Sequence, residues 1–416
     1  MVFEYYEPGE CLNFLLEINS ISPATVTLRN MSWQGHLKEV RIPSTFEDVD
    51  GYMYELVSIG KKAFVPQDEA QEKATIDTLI IPDSVQSLKD EAFANLRKSK
   101  KQTRISKIVL PDTISAIPSK CFKSSYLKEI EFNPDKIIQI GESAFEGTYI
   151  SSIVWPQNVK EIPKKCFAWS GIQDVKNVEH VTSIKNGAFL HSAISDLPNF
   201  KSIKYIQSQA FRGTLLKEVS FPKCLKTIRS YAFADCDDLI RADLSKVIRV
   251  GENSFRNCKS LCSVEWNPRV DMIAAGTFNE CKSLKSLFGV EHVRRICSNA
   301  FMNTALEDLS AFKGLGIIEP FAFSKCYNFN EISISGNIEC IKAQGCFSFC
   351  KSLKKVKFPS STKIVDLFAF AFSPCQIFDF SECESIRVVY DSDKSDVLPQ
   401  FITGMDTVLS LEERES

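Results

Sequence analysis

A chain of 416 residues that is 44% hydrophobic and 25% charged is too apolar to be disordered, and it is long enough for two or three ordinary domains or one repeat array. Its formal charge of −2 supplies no global attraction to nucleic acid or to an anionic membrane. With 31 Phe against 17 Gly and 4 His, there is little material for phosphate-cradling loops or His-based metal sites, and the Phe excess needs a structural reason.

The first residues, Met1-Val2-Phe3-Glu4-Tyr5-Tyr6-Glu7, carry neither the basic stretch nor the apolar run of a secretory leader. No later segment reaches the ~18–20 uninterrupted apolar residues of a spanning helix. On these grounds the chain is expected in the cytoplasm, where its 15 cysteines stay as thiols. Residues 1–39 lack the period found downstream and are expected to form an N-terminal cap, because the ends of a repeat array need polar covers. Residues 40–64, VRIPSTFEDVDGYMYELVSIGKKAF, read as a first unit with a hairpin-type turn at Asp50-Gly51.

Two long units follow, of 29 residues each. The first insertion falls within residues 65–75 and is acidic toward its start, and the second falls within 94–104 and is basic. Insertions at one position of successive units are expected side by side, where these two would pair by charge. Arg97, Lys98, Lys100, Lys101 and Arg104 form a candidate basic loop for phosphate or polyanion, although solvated loop extensions need no such role.

Through the remainder of the chain, phenylalanines recur at 64, 93, 122, 145, 167, 189, 211, 233, 255, 278, 301, 323, 347 and 372. An aliphatic residue stands five positions before each in the regular stretch, from Ile117 to Ile318. A small residue precedes each Phe directly, as Ala188, Ala210, Ala232, Ser254 and Thr277. A Leu-x-x-Val-x-Phe-Pro segment then suits one short strand, because it alternates with period two and ends in a residue that cannot continue a ladder. A unit of 22 residues cannot bury its own apolar face, so the units must stack, strand on strand and Phe on Phe.

Six cysteines occupy the slot three after the ladder Phe: Cys236, Cys258, Cys281, Cys326, Cys350 and Cys375. Other units place Ser125, Thr148, Ser170, Ser192, Thr214 or Thr304 there. Where Cys stands, the next apolar residue comes six positions after the Phe, and where Ser or Thr stands it comes five after; Cys375 alone breaks the rule. Choice of residue therefore tracks loop length, which marks a packing position, with a disulfide between adjacent coils or a zinc site as the alternatives. In Cys258-Lys-Ser-Leu-Cys262, Cys262 falls at the start of the next strand and should face outward, away from Cys258.

The stretch LKEVSFPKCLKTIRSYAFADC, residues 216–236, resembles the Treponema-type leucine-rich repeat of BspA-like proteins, and the resemblance extends over residues 40–380 in about 14 units of 22–29 residues. Cys121, Cys166 and Cys346 stand in the Ala slot of that pattern. The resemblance implies a curved leucine-rich-repeat solenoid of short parallel β-strands joined by turns or 3-10 segments. Residues 381–416 are then a C-terminal cap and charged tail.

No catalytic constellation is visible. His36, His180, His191 and His292 form no metal pair, and His180 and His292 occupy the same repeat slot. No metal and no cofactor is expected, and the chain reads as no enzyme. The candidate site is the strand face, where residues flanking the central aliphatic point to solvent. There the sequence places Glu129, Glu131, Asp174, Asp196, Glu218, Asp243, Glu265, Asp308 and Glu331, with Lys355 and Lys357 reversing the sign at the end. These charges either keep sheets from aggregating or orient a protein partner. The first function read here is a non-enzymatic protein-binding scaffold, and the resemblance implies a surface antigen or adhesin, reached by unconventional export. The alternative is an intracellular adaptor for a signalling or cytoskeletal protein. Polyanion binding through the 97–104 loop is a third, and nucleic acid is not favoured as a partner.

Overall fold

The computed structural model describes residues 2–7, 12–65, 74–95, 104–342, 344–390, 401–403 and 408–413. Contacts divide the chain into two units, Met1–Ile203 and Lys204–Ser416. Each is built of stacked coils of parallel strands, and the described helix is a single 3-10 turn, Leu367–Phe370.

The first unit begins with an antiparallel sheet. Val2–Glu7 pairs with Leu12–Ile21, which pairs with Ala24–Trp33. Alternation along Leu12, Phe14 and Leu16 puts one face in the core, where Phe14 meets Phe46 at 5.2 Å. Ala24–Trp33 then runs parallel to Met53–Ile59, so the antiparallel sheet covers the first coil. The expected hairpin is present between Thr45–Glu47 and Met53–Ile59. Asp48 accepts from the backbone N–H groups of Asp50 and Tyr52, and Gly51 takes φ +83°, which a turn of this kind needs.

Most later coils present a front strand from the Leu-x-x-Ile-x-Phe segment and a rear strand at the aliphatic residue before the ladder Phe; the coils carrying Asp196 and Asp308 have no regular front strand. In the first unit, front strands His36–Arg41, Thr75–Ile80, Arg104–Val109 and Glu129–Glu131 form one parallel sheet. In the second unit, Glu218–Ser220, Arg241–Asp243, Ser263–Glu265 and Ser286–Phe288 form another. From Tyr205–Ile206 to Cys340–Ile341 the rear strands are two residues long, as in Thr227–Ile228 beside Arg249–Val250. Coil winding continues past residue 380, with Phe401–Thr403 joining the front and Val408–Glu413 the rear.

The phenylalanines stack as the period requires. In the first unit, ring centroids from Phe64 through Phe93, Phe122, Phe145, Phe167 and Phe189 are 4.7–5.6 Å apart. In the second they run from Phe211 through Phe233, Phe255, Phe278, Phe301, Phe323 and Phe347 to Phe370 at 5.2–5.9 Å. Strands set the coil rise at about 4.8 Å, so near-parallel rings reach these separations by sliding into the offset arrangement that their quadrupoles favour. The small residue before each ring, such as Ala232 or Cys166, is fully buried against the neighbouring coil.

Turns around each ring carry a feature that the period does not announce. The residues two before and two after the Phe adopt left-handed backbone, as in Lys120 (φ 57°) and Ser124 (φ 59°), or Tyr231 (φ 59°) and Asp235 (φ 58°). Such a conformation costs a non-glycine residue about 1–2 kcal/mol. It turns alternate N–H groups toward the next coil: Tyr231, Phe233 and Asp235 donate to the carbonyls of Glu252, Ser254 and Arg256 at 2.8–3.0 Å. Buried backbone groups that no strand serves are satisfied this way, which offsets the strain.

Ladder register differs from the expectation at the last coil. Phe370, not Phe372, stacks on Phe347, and Phe372 is 67% exposed. Phe372 instead has φ 60° and stacks on Phe349 at 4.7 Å, so it sits two after the ring, as Phe349 does in the coil before. The segment Phe-Ala-Phe-Ala-Phe offers two Ala-Phe pairs at nearly equal spacing, and the strand Ile364–Asp366 selects the first by placing Val365 five residues ahead of the ring. With Phe370 as the rung, the slot residue is Ser373, whose Oγ donates to the Phe347 carbonyl at 2.8 Å. Cys375 becomes the buried residue that leads the next front strand, five after the ring. The apparent exception to the loop-length rule is thus a misplaced register.

The fourteen described cysteines are free thiols. Those in the slot are buried, and their Sγ atoms donate to the Phe carbonyl one coil earlier: Cys236 to Phe211, Cys258 to Phe233 and Cys281 to Phe255, each at 3.1 Å. Ser125, Thr148, Ser170, Thr214 and Thr304 in the slot bond the Phe carbonyl of their own coil instead, as Ser170 to Phe167 at 2.7 Å and Thr148 to Phe145 at 2.9 Å, whereas Ser373 reaches the previous coil as the cysteines do. The cysteines of the longer turns all reach back to the previous coil's carbonyl. Burial pushes the Cys258 thiol well above the ordinary range, and the neighbouring Cys281 adds to this. Cys262 lies half-buried at the edge of the front strand, with its Sγ 3.4 Å from the Ile240 carbonyl.

Phe370→Ala should cost about 3–5 kcal/mol in urea unfolding and Phe372→Ala about 1 kcal/mol or less; equal losses would restore the register read from spacing. Under native alkylation followed by peptide mass spectrometry, Cys262 should be modified well before Cys258. Modification of Cys258 with Cys262 spared would contradict the placement of the two thiols.

Candidate binding surface

Front strands bury one residue and expose its two neighbours. Val175 in the first unit and Val219, Ala242, Val264, Leu287, Ile332 and Val356 in the second are buried, while within each unit the flanking positions line the surface in rows, exposed or half-buried. Strand register fixes which side chains meet along these rows.

In the first unit, Glu129 and Glu131 are exposed on one strand and share the ammonium of Lys107 from the strand beside it, 3.0 Å from Glu129. Both carboxylates raise the Lys107 pKa above the ordinary lysine range, the hydrogen bond to Glu131 most. Asp174 is exposed, with Lys176 3.8 Å away on the same strand. Asp196 lies on a coil without a regular front strand and accepts from its neighbour Ser195 at 2.8 Å.

In the second unit, Glu218 is in register with Arg241, and Asp243 with Ser220 and Glu265. Asp243 accepts from the N–H and Oγ of Ser245 at 3.0 and 2.6 Å. Asp308 repeats that arrangement with Ser310, again outside a regular strand. Glu331 is in register with Lys355. The two lysines that end the row are half-buried and paired with acids: Lys355 with Asp379 at 3.1 Å and Lys357 with Glu382 at 2.7 Å. Burial alone would raise the Asp379 pKa, and the hydrogen bonds from Ser381 and Lys355 outweigh it, leaving the carboxyl below its ordinary range. The sign reversal seen along the sequence is therefore cancelled in space.

Three side chains on these rows escape a reading based on acids alone. Lys107 and Arg241 interrupt the negative charge, and Phe288, 58% exposed, projects in register with Glu265. Phe288 was legible in principle, since it fills the slot that holds Asp243 and Glu265 in the two preceding coils, but it is hidden among 31 phenylalanines. Among the described residues, Glu218, Glu265 and Glu331 have no cation within ion-pair distance, and they share one surface with Phe288.

Of the basic loop, Arg97, Lys98, Lys100 and Lys101 lie outside the described residues, as does the pairing expected between the two insertions. Arg104 is described; it is exposed, with its guanidinium 5.8 Å from the Tyr126 ring centre. His36 contacts Thr75 and Asp77, and His180 lies 3.1 Å from the Pro156 carbonyl, while His191 stacks on Trp169 at 4.1 Å. Among the described residues, no group of three His, Cys, Asp or Glu side chains is arranged to hold a metal ion, and no helix is long and apolar enough to cross a membrane.

The chain is similar in fold to a leucine-rich repeat protein from Bacteroides ovatus, at 21% identity over 100% of this chain and 98% of that one, with a TM-score of 0.60. Fainter similarity links it to a leucine rich cell surface protein from Faecalibacterium prausnitzii, at 18% identity over 86% and 94% of the two chains and a TM-score of 0.46. The pneumococcal vaccine antigen PcpA gives 13% identity over 100% and 99%, with a TM-score of 0.43. No curated protein matches the sequence. The family described as BspA type leucine rich repeat region (6 copies) matches four overlapping stretches, residues 57–189, 97–214, 193–307 and 272–392. With that match running from residue 57 to 392, the chain belongs to the BspA type leucine-rich repeat family.

Proposed function

We propose that the protein is a non-enzymatic protein-binding scaffold, and that its partner docks on the front-strand rows of the second unit. The observation that carries this reading is the convergence there of Glu218, Glu265 and Glu331, none held by a cation among the described residues, with the exposed ring of Phe288. An aromatic anchor rimmed by unneutralised charge has the composition of a protein interface. Packing does not explain these side chains, because the core is complete beneath them in Val219, Val264 and Leu287. The partner presents Lys or Arg to the carboxylates and an apolar pocket to Phe288. Glu129, Glu131 and Asp174 of the first unit and the paired lysines Lys355 and Lys357 contribute less, since exposed charges already neutralised add little affinity.

The same face serves an antigen or adhesin outside the cell or an adaptor inside it. Biotinylation of intact cells separates the two: labelling marks the surface protein, and labelling only after lysis marks the adaptor. For the face itself, Phe288→Ala combined with Glu218→Lys and Glu265→Lys should reduce capture of the wild-type partner at least tenfold, about 1.4 kcal/mol or more. Glu161→Lys, a rear-strand change in the first unit, should leave capture unchanged. Equal capture by the triple variant and the wild type would remove the front face from the function.

A further inference from the structure

The rear side of the unit Lys204–Ser416 has a different chemistry. A groove of about 650 Å³ is lined by Arg229, Arg249 and Arg269, with the hydroxyls of Ser208, Thr227 and Ser230 beside them. Its floor is low because Gly251 and Ala274 stand where Arg229 stands one coil earlier, four residues before the ladder Phe. No side chain can replace Gly251, since a Cβ there would meet the Ser230 nitrogen at 2.6 Å. A second groove of about 370 Å³ is lined by Arg295, Ile317 and Lys342. Rear-strand register carries the surface from one coil to the next, with Thr227 beside Arg249, and Met272 beside Arg295, itself beside Ile317.

Charge here is mostly uncommitted. The ion pairs made by arginines of this unit belong to Arg212, Arg295 and Arg387, and Arg229, Arg249 and Arg269 make none among the described residues. Exposed Lys226 and Arg294 directly precede the rear strands Thr227–Ile228 and Arg295–Ile296. Two exposed carboxylates, Glu252 and Asp271, line the larger groove and are outnumbered. Exposed apolar side chains alternate with the cations: Tyr205 is 51% exposed, and Met272 and Ile317 are each 45%.

We propose that this rear trough binds an acidic polysaccharide, sulfated or carboxylated, whose chain runs along the coils. Charge complementarity requires a polyanion with repeated charges. The interleaved apolar side chains suit the C–H faces of sugar rings, which follow one another at about the length of one coil. A single-stranded nucleic acid needs an aromatic platform for successive bases, and neither groove is lined by an aromatic side chain, Tyr205 standing on the rear strand beside Thr227. A membrane surface needs a continuous apolar face, which the arginines interrupt. The proposal is independent of the front-face reading and of the 97–104 loop.

The test is binding of the full-length chain to heparin, followed by calorimetry and by elution from a heparin column in a salt gradient. Arg229→Ala, Arg249→Ala and Arg269→Ala together should weaken binding roughly tenfold or more and flatten its salt dependence, because fewer counterions are released. Circular dichroism should be unchanged, as the three side chains are exposed. Met272→Ser with Ile317→Ser, which keeps every charge, should also weaken heparin binding. Retention of wild-type affinity by the arginine variant overturns the proposal, as does loss only when Arg97, Lys98, Lys100 and Lys101 are reversed. Displacement of heparin by an equal charge of oligothymidylate at lower concentration assigns the trough to nucleic acid and overturns it too.

Discussion

A phenylalanine can stack on its own copy only at a distance the backbone allows, and the coils of this protein are organised around that condition. Strand pairing sets a rise of about 4.8 Å per coil, and rings at 4.7–5.9 Å satisfy it with modest sliding. The requirement reaches outward from the ring. A small residue must precede it, so Ala, Cys, Ser or Thr stands there; the chain must turn on both sides of it, so left-handed residues flank it. Trp155 and Trp266 close the same core from the front, meeting Phe167 and Phe278 edge-on at 5.8 and 6.0 Å. Each coil buries its ring only because the next coil supplies the other face, so stability passes from neighbour to neighbour.

Backbone hydrogen bonding explains why so many substitutions are tolerated within this scheme. Coils are bonded at the front strand, at the rear strand and through the turn, where Phe233 donates to Ser254 and Phe255 to Thr277. Side chains are then needed for only a few tasks. In the slot after the ring, sulfur or oxygen satisfies a Phe carbonyl, with Cys standing where the turn is one residue longer. The thiols are structural in that sense, buried and held protonated by desolvation.

Because the core and the backbone hold the coils, the exposed rows are free to carry recognition. Their charges do not act as a simple sum. In the first unit Lys107 lies against two glutamates, and in the second Asp379 and Glu382 absorb Lys355 and Lys357, so charges that read as a stripe in sequence are patchy within each unit. Within the second unit the front keeps unpaired carboxylates and an aromatic ring, while the rear keeps unpaired arginines. A coil has two independent surfaces, and a repeat protein can present different chemistry on each without disturbing its core.

The sequence by itself determined the repeat, the Phe column, the front strand of each coil and the hairpin at Asp50-Gly51, because periodic burial and turn chemistry leave direct traces in residue order; the rear strand appears only in the structure. It also separated Cys258 from Cys262. It could not choose between Phe370 and Phe372, since both pairs of Ala and Phe fit the period and only pairing of Ile364–Asp366 with the coils beside it breaks the tie. Left-handed turns were hidden because Lys, Ser, Tyr and Phe occupy them as well as Asn and Gly. Which acids stay unneutralised, and that Arg229, Arg249 and Arg269 line one groove, are decided by tertiary structure alone. Residues about 20 apart become neighbours only when the coils stack, and charge acts through distance in space, not separation along the chain.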